Sequence, residues 1–164
     1  MFYRNAVVQD VKGMVATHYA AVRSISLDVY SLEVLSSWSP TPNRERVEKL
    51  SRVIRTAKTH CIIAEVPKFG ITGFAIFDMD YRVLEALYVN PVYSGKGLGS
   101  NLLFRIEEHA ITLGIETLYL KASINAVSFY RGKGYIGVRE SSQELGDGQY
   151  MASMSMEKQF HGSL

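Results

Sequence analysis

The chain has 164 residues, 47% of them hydrophobic, and Lys plus Arg exceed Asp plus Glu by 18 to 16, a formal charge of +2. That length and apolar content fit one ordinary domain with a sizeable core, so a single domain over 1–164 is expected, and the interspersed charge predicts no nucleic-acid partner. No apolar run approaches the roughly 18 residues that span a bilayer, MFYRNAVVQD lacks the basic segment and apolar core of a signal peptide, and one cysteine permits no internal disulfide, so a cytoplasmic protein without a membrane partner is expected.

Phe2 to Val8 is aromatic and β-branched and predicts a first strand ending near Gln9. Asp10 is placed to cap a helix running to Ile25, where Val11, Met14, Val15, Ala16, Tyr19 and Val22 recur at helical spacing and Gly13 is the weak point. Ser31 is placed to cap a second helix, with Glu33 in its first turn and Leu32, Val34, Leu35 and Trp38 before Pro40. After the breaker SPTPN, Asn43 opens a third, with Val47, Leu50, Val53 and Ile54 on one stripe and charge on the other faces. The period then changes to that of strands. His60 to Val66 is one, Ile71 to Met79 the next, with Gly73 marking a bulge or a close backbone approach, and Val83 to Val89 a third. Their short connections predict an antiparallel meander with the first strand. Cys61 lies in the apolar run CIIAEV and reads as a buried small hydrophobe rather than a nucleophile.

From Val83 to Ala110 a strand, a glycine-rich turn and a helix follow without interruption. Asn90-Pro91 stops the strand, since proline donates no ladder hydrogen bond. Gly95, Gly97 and Gly99 then free alternate positions of side chains just before Leu98, Leu102, Leu103 and Ile106 begin a helical stripe, so backbone N–H groups at a helix N-terminus can converge on an anion. The helix from Gly97 to Leu113 ends at Gly114, and Thr117 to Ala122 makes the strand of a parallel βαβ unit. Asn125 to Arg131 reads as a short helix. Tyr135 to Glu140 and Gln149 to Glu157 close the chain as strands around the polar SSQELGDG, and an edge strand such as Gln149 to Glu157 permits a homodimer.

The glycine spacing discriminates among phosphate-binding designs. A dinucleotide-binding G-x-G-x-x-G needs glycine where Ser100 stands, and should open a wholly parallel sheet. A P-loop needs Gly-Lys-Ser/Thr, but Gly97 follows Lys96. The stretch instead resembles the GNAT superfamily of acyl-CoA-dependent N-acyltransferases. Leu87-Tyr88-Val89 fits the Leu-Tyr-Val-like strand end of that family, and Ser94 to Gly99 fits its Gln/Arg-x-x-Gly-x-Gly/Ala loop, with Ser94 replacing the first residue. A second block, SINAVSFYRGKGY from Ser123 to Tyr135, is similar to the family's Asn-Ala-x-x-Phe-Tyr-x-x-x-Gly-Phe/Tyr segment. The likeness covers about His60 to Lys158 well and the N-terminal helices in general layout.

The resemblance implies a mixed α/β fold, with largely antiparallel N-terminal strands, one parallel βαβ crossover and helices on both sheet faces. It implies acetyl-CoA as cosubstrate, its pyrophosphate held by the backbone of Ser94, Gly95, Lys96, Gly97, Leu98, Gly99 and Ser100, and its pantetheine arm paired with Leu87, Tyr88 and Val89 as a pseudo-strand. Lys96 either adds charge or is solvated, and Asn125 caps the short helix, binds the cofactor arm, or both, near Phe129. Tyr130 matches the tyrosine that protonates the departing thiolate in related enzymes; the alternative is an aromatic packed beside Phe129. A base must deprotonate the acceptor, and alternation along the strand puts Glu85 on the side of Leu87 and Val89, unless Glu85 is a salt-bridged strand residue; His18 and His60 are weaker options. The helices between Asp10 and Thr59 are implied to form the acceptor pocket, with Tyr30 and Trp38 as lining candidates or core. The expected activity is acetyl transfer to a primary amine, of a small molecule or a peptide, by direct attack in a ternary complex with no metal. The alternative is a catalytically reduced acyl-CoA sensor or assembly module.

Overall fold

The computed structural model describes residues 1–160; the last four residues of the expected 1–164 domain lie outside them. The strands are β1 (Phe2–Asn5), β2 (Thr59–Val66), β3 (Gly70–Asp78), β4 (Val83–Val89), β5 (Thr117–Ser123), β6 (Ile136–Glu144) and β7 (Tyr150–Gln159), and the helices are α1 (Val11–Arg23), α2 (Leu32–Trp38), α3 (Arg44–Arg55), α4 (Leu98–Thr112) and α5 (Val127–Arg131). The strands form one seven-stranded sheet in the order β1-β2-β3-β4-β5-β7-β6. Only β4 and β5 run parallel, across the crossover helix α4; the other pairs are antiparallel.

Helices cover both faces because the strands are apolar on both. On one, the α4 stripe Leu98, Leu102, Leu103 and Ile106 packs on Ala75, Phe77, Leu84, Leu118 and Leu120. Each such buried side chain contributes about 1.5–3 kcal/mol relative to exposure, more than the lack of a side-chain cap at the start of α4 removes. On the other face, Met14 of α1 and Leu50, Val53 and Ile54 of α3 pack on Ile63, Phe74 and Ile76. A third cluster of Val22, Tyr30, Leu35, Leu145 and Met151 ties α1 and α2 to the end of β7.

Gly73 is a point of close approach. A Cβ there would lie 2.4 Å from Leu98 Cδ2 and 3.1 Å from the Tyr88 carbonyl, so the glycine lets α4 settle on the sheet. Ser31 and Asn43 cap α2 and α3 as expected, accepting from the N–H groups of Val34 and Arg46.

Expectations are corrected at three places in the chain. The first strand stops at Asn5, and Asp10 caps no helix: its carboxylate takes the Arg4 guanidinium at 2.7 and 2.8 Å and the Val7 N–H at 2.8 Å, which folds residues 8–10 into a 3₁₀ turn ahead of α1. The Arg4 hydrogen bond lowers the Asp10 carboxyl from its ordinary value against the opposing effect of burial. Second, β6 runs through the polar residues to Glu144, because Ser141 and Ser153 pair across the ladder with their hydroxyls 2.8 Å apart. Third, the strand at Gln149 to Glu157 is no edge. β7 is paired with β5 on one side and β6 on the other, which removes it as a dimerising edge; the sheet ends at β1 and at β6, whose register is broken by a bulge between Gly137 and Arg139.

Candidate active site

The site grows from an irregularity in β4. Ile76 of β3 faces Ala86, but Phe77 faces Leu84, so Glu85 is the extra residue of a β-bulge. A bulge bends its strand and increases the local twist. Accordingly β4 and β5 pair only at Val83↔Tyr119 and Leu84↔Leu120 before they part. Beyond that point the β5-facing edge of residues 87–89 has no strand partner among the described residues.

At the end of the strand, the Asn90 side chain accepts from the Val92 N–H and starts a turn through Pro91 to Tyr93. Gly95 and Gly97 follow at φ 72° and 78°, in the left-handed region where a Cβ is strained, and Gly97 is the N-cap of α4. A Cβ on Gly99 would stand 3.6 Å from both Val89 and Phe129. These residues wall a groove of about 730 Å³ that runs from the loop along residues 87–89 to Asn125, Phe129 and Tyr130. Leu87, Tyr88, Val89, Ser94, Gly95, Gly97, Leu98, Gly99, Ser100, Asn125, Phe129 and Tyr130 all line it. Lys96 does not: its ammonium donates to the Val92 carbonyl at 3.2 Å and lies over the Tyr93 ring.

Asn125 lies inside the 3₁₀ turn of residues 124–126 and caps neither that turn nor α5, whose N-caps are Ser123 and Ala126. Tyr130, five residues later, is buried, with its ring edge-on to Phe129 and Tyr135. Packing beside Phe129 and facing the groove are therefore both true of it. Burial, then the nearby Tyr88, raises its phenol above the ordinary value, so it is protonated at neutral pH, and its hydroxyl has no hydrogen-bond partner among the described residues.

A second, smaller recess of about 70 Å³ opens where β4 leaves β5. It shares Trp38, Leu87, Tyr88, Ser123, Ala126 and Tyr130 with the groove. Glu85 lines this recess and not the groove. The alternation used to put Glu85 beside Leu87 and Val89 fails, because the bulge absorbs one residue: Leu84 and Leu87 both pack toward α4, while Ala86 and Tyr88 pack on the opposite core. Burial raises the Glu85 carboxyl above its ordinary value, Asp78 adds to this, and Lys121 opposes it.

Trp38 is a lining residue of both cavities, and its indole N–H donates to the Tyr88 hydroxyl at 3.2 Å. Tyr88 is pushed up to about 12 by burial, against the Trp38 hydrogen bond and the charge of Arg46. Tyr30 lines neither cavity; its hydroxyl accepts from the Ile124 N–H at 2.8 Å and donates to the Ala152 carbonyl at 2.5 Å, clasping the turn before α5 to β7. His18 sits behind Tyr88, 4.3 Å between ring centroids, with Arg46 and Ser39 donating to its Nδ1 at 2.7 and 3.0 Å. Burial and then Arg46 push it down to about 4, so it is neutral at pH 7, and it lines neither cavity. His60 stacks on His109 at 3.8 Å in a separate groove beside β1, away from both cavities. The sequence reading missed the connection after α1, where Ser24, Ile25, Ser26 and Val29 complete the groove, and it missed Lys121, Gln143 and Met151 of the recess. Lys121, the one charge in the strand TLYLKAS, was a signal for the last group.

A groove along an open strand edge, ending in a glycine-opened helix, is the arrangement implied by the motifs. Residues 27–158 match the family described as Acetyltransferase (GNAT) domain. The chain belongs to the GNAT acetyltransferase family. The GNAT fold is shared over nearly its whole length with a GCN5-related N-acetyltransferase from Rhodopseudomonas palustris, at 24% identity and a TM-score of 0.84, covering 97% of this chain and 95% of that one. PaiA N-acetyltransferase from Thermoplasma acidophilum, solved in complex with coenzyme A, matches at 21% identity and a TM-score of 0.75, covering 97% and 98%. The yncA acetyltransferase from Salmonella typhimurium, solved with acetyl-CoA, matches at 21% identity and a TM-score of 0.69, covering 100% and 97%. This GNAT protein is thus an acyl-CoA-dependent acetyltransferase whose cosubstrate is acetyl-CoA. The groove fits that cosubstrate: two positive-φ glycines open the N-terminus of α4, and an unpaired strand edge lies beside them. Among the described residues no helix is long and apolar enough to cross a membrane.

Proposed function

We propose that residues 1–164 act as one N-acetyltransferase domain that moves an acetyl group to a primary amine by direct attack in a ternary complex. The observation that carries this reading is the shared wall of the two cavities. A donor lying in the groove and an amine lying in the recess would meet at Tyr88 and Tyr130 without either leaving the protein. Holding two reactants in one geometry removes much of the entropic barrier to their encounter.

Bound acetyl-CoA supplies a thioester carbon open to attack and a thiolate leaving group. The chain's own groups do the rest. The backbone amides from Ser94 to Ser100 hold the pyrophosphate, and the open edge of residues 87–89 takes the amide-rich arm. The Glu85 carboxylate, its proton affinity raised by burial, accepts a proton from the acceptor amine as the C–N bond forms. The phenol of Tyr130, held neutral by burial, gives its proton to the thiolate as the C–S bond breaks. Cys61 is buried in the other core, its thiol pushed up by burial, which favours direct attack over an acyl-enzyme.

Initial rates of thiol release, with acetyl-CoA and amine both varied, test the reading. Intersecting double-reciprocal lines are expected; parallel lines, the mark of a covalent ping-pong route, would refute it.

A further inference from the structure

The recess holds an unusual set of polar groups for its size. Glu85, Lys121 and Gln143 all line it, together with the apolar Trp38, Leu87 and Met151. The parallel register ends at Leu84↔Leu120, and Glu85 and Lys121 are the next residues of β4 and β5, where the strands part, on the face opposite α4, since Leu84 and Leu120 both pack toward that helix. Where strands stay paired, roughly 4.8 Å apart, an opposite-charge pair on neighbouring strands ordinarily closes on itself. Here it does not: among the described residues neither Glu85 nor Lys121 is in a salt bridge, and the Gln143 amide makes no hydrogen bond. One anion, one cation and one amide therefore line a small cavity open to solvent, with no partner among the described residues.

A ligand that satisfies this set must carry both signs of charge close together. The geometry points to an amino acid as the acceptor: its amine lies at Glu85 and toward Tyr130, and its carboxylate is held by the Lys121 ammonium with help from the Gln143 amide. A free peptide N-terminus lacks the neighbouring carboxylate, and a polyamine brings a second cation to Lys121; both are disfavoured by the same charges. At about 70 Å³ the recess is small beside the groove of about 730 Å³, so it takes the charged end and a longer side chain extends outward. Lys121 is a binding residue for the acceptor, with no part in proton transfer. The inference rests on the ternary-complex reading above.

The test pairs each of a panel of amino acids with its own amide, which keeps the amine and side chain but removes the carboxylate. Thiol release from acetyl-CoA is measured alongside calorimetric binding of the same compounds to the coenzyme A-loaded protein. At least one amino acid is expected to exceed its amide in kcat/KM by about tenfold or more, the worth of one charge-assisted hydrogen bond. Lys121→Gln is expected to raise KM for the acid to that of the amide while kcat on the pH plateau holds; the acid limb moves upward, because Lys121 lowers the Glu85 carboxyl. Equal or better turnover of the amides, or a preference that survives Lys121→Gln, would overturn the carboxylate site and leave the transfer reading standing. Binding of an amino acid that weakens in Lys121→Gln, with no thiol released, would uphold the site and defeat the transfer reading. If no amino acid binds the loaded protein, the proposal fails.

Discussion

The two cavities that meet at Tyr88 and Tyr130 are built from different materials. The groove has backbone along part of its wall: the open edge of residues 87–89 and a loop in which Gly95 and Gly97 hold positive φ. The recess is walled by side chains from α2, β4, β5, β6 and β7, with Glu85 thrown into it by a bulge. In the proposed reading the backbone amides would serve a phosphate and an amide chain that are the same in every turnover, and a side-chain substitution cannot change them without straining the chain. Side chains can be exchanged one at a time, so the recess is where a family that keeps its donor would vary its acceptor.

Substitutions aimed at one cavity should spare the other. Gly97→Val has the largest expected effect: it forces a β-branched residue to φ 78° at the N-cap of α4 and turns loop amides away from the phosphates. Acetyl-CoA affinity should fall by about 100-fold or more, the worth of one or two charge-assisted hydrogen bonds, as read by calorimetry. Unchanged affinity would detach the loop from the cosubstrate. Glu85→Gln should lower kcat/KM by about 100-fold and leave acetyl-CoA binding intact. In the natural protein a base must be ionised, and burial raises this carboxyl above 4.5, so the acid limb of the pH–rate profile should lie above that value and disappear in the variant. A limb that persists in Glu85→Gln would assign the base elsewhere.

The smallest effect concerns neither cavity directly. His18 titrates at about 4 in the folded protein against 6.5 for the free side chain, because it is buried beside Arg46. Between those values the unfolded chain binds a proton that the folded one refuses, so stability declines as pH falls from 6.5 toward 4, by about 2–3 kcal/mol from this group. Urea unfolding midpoints across that range should show the decline, and His18→Asn should flatten it. A slope unchanged in the variant would mean that His18 is solvated.

The groove was legible in the sequence because its determinants are local. The glycines, the apolar stripe of α4 and the Asn90-Pro91 stop sit within a few residues of one another and act through backbone geometry. What was not legible depends on partners far along the chain. The bulge at Glu85 exists only in the register with β3, so alternation read from β4 alone put Glu85 on the wrong face. The place of β7 between β5 and β6 follows from pairings that no period records. Tyr30 looked like a pocket residue until its hydroxyl found Ile124 and Ala152, 94 and 122 residues away. Asp10, a sound helix cap by sequence, is captured by Arg4 across the turn.

The central claim is that donor and acceptor meet at Tyr130, a residue that lines both cavities and whose hydroxyl has no hydrogen-bond partner among the described residues. Thiol release by the natural protein and by Tyr130→Phe, followed across pH at saturating acetyl-CoA, tests it most directly. The substitution removes one oxygen from a packed ring, so acetyl-CoA affinity should hold while kcat falls by about 100-fold, the lower end of what a positioned general acid contributes. Turnover by Tyr130→Phe equal to that of the natural protein at every pH would contradict it.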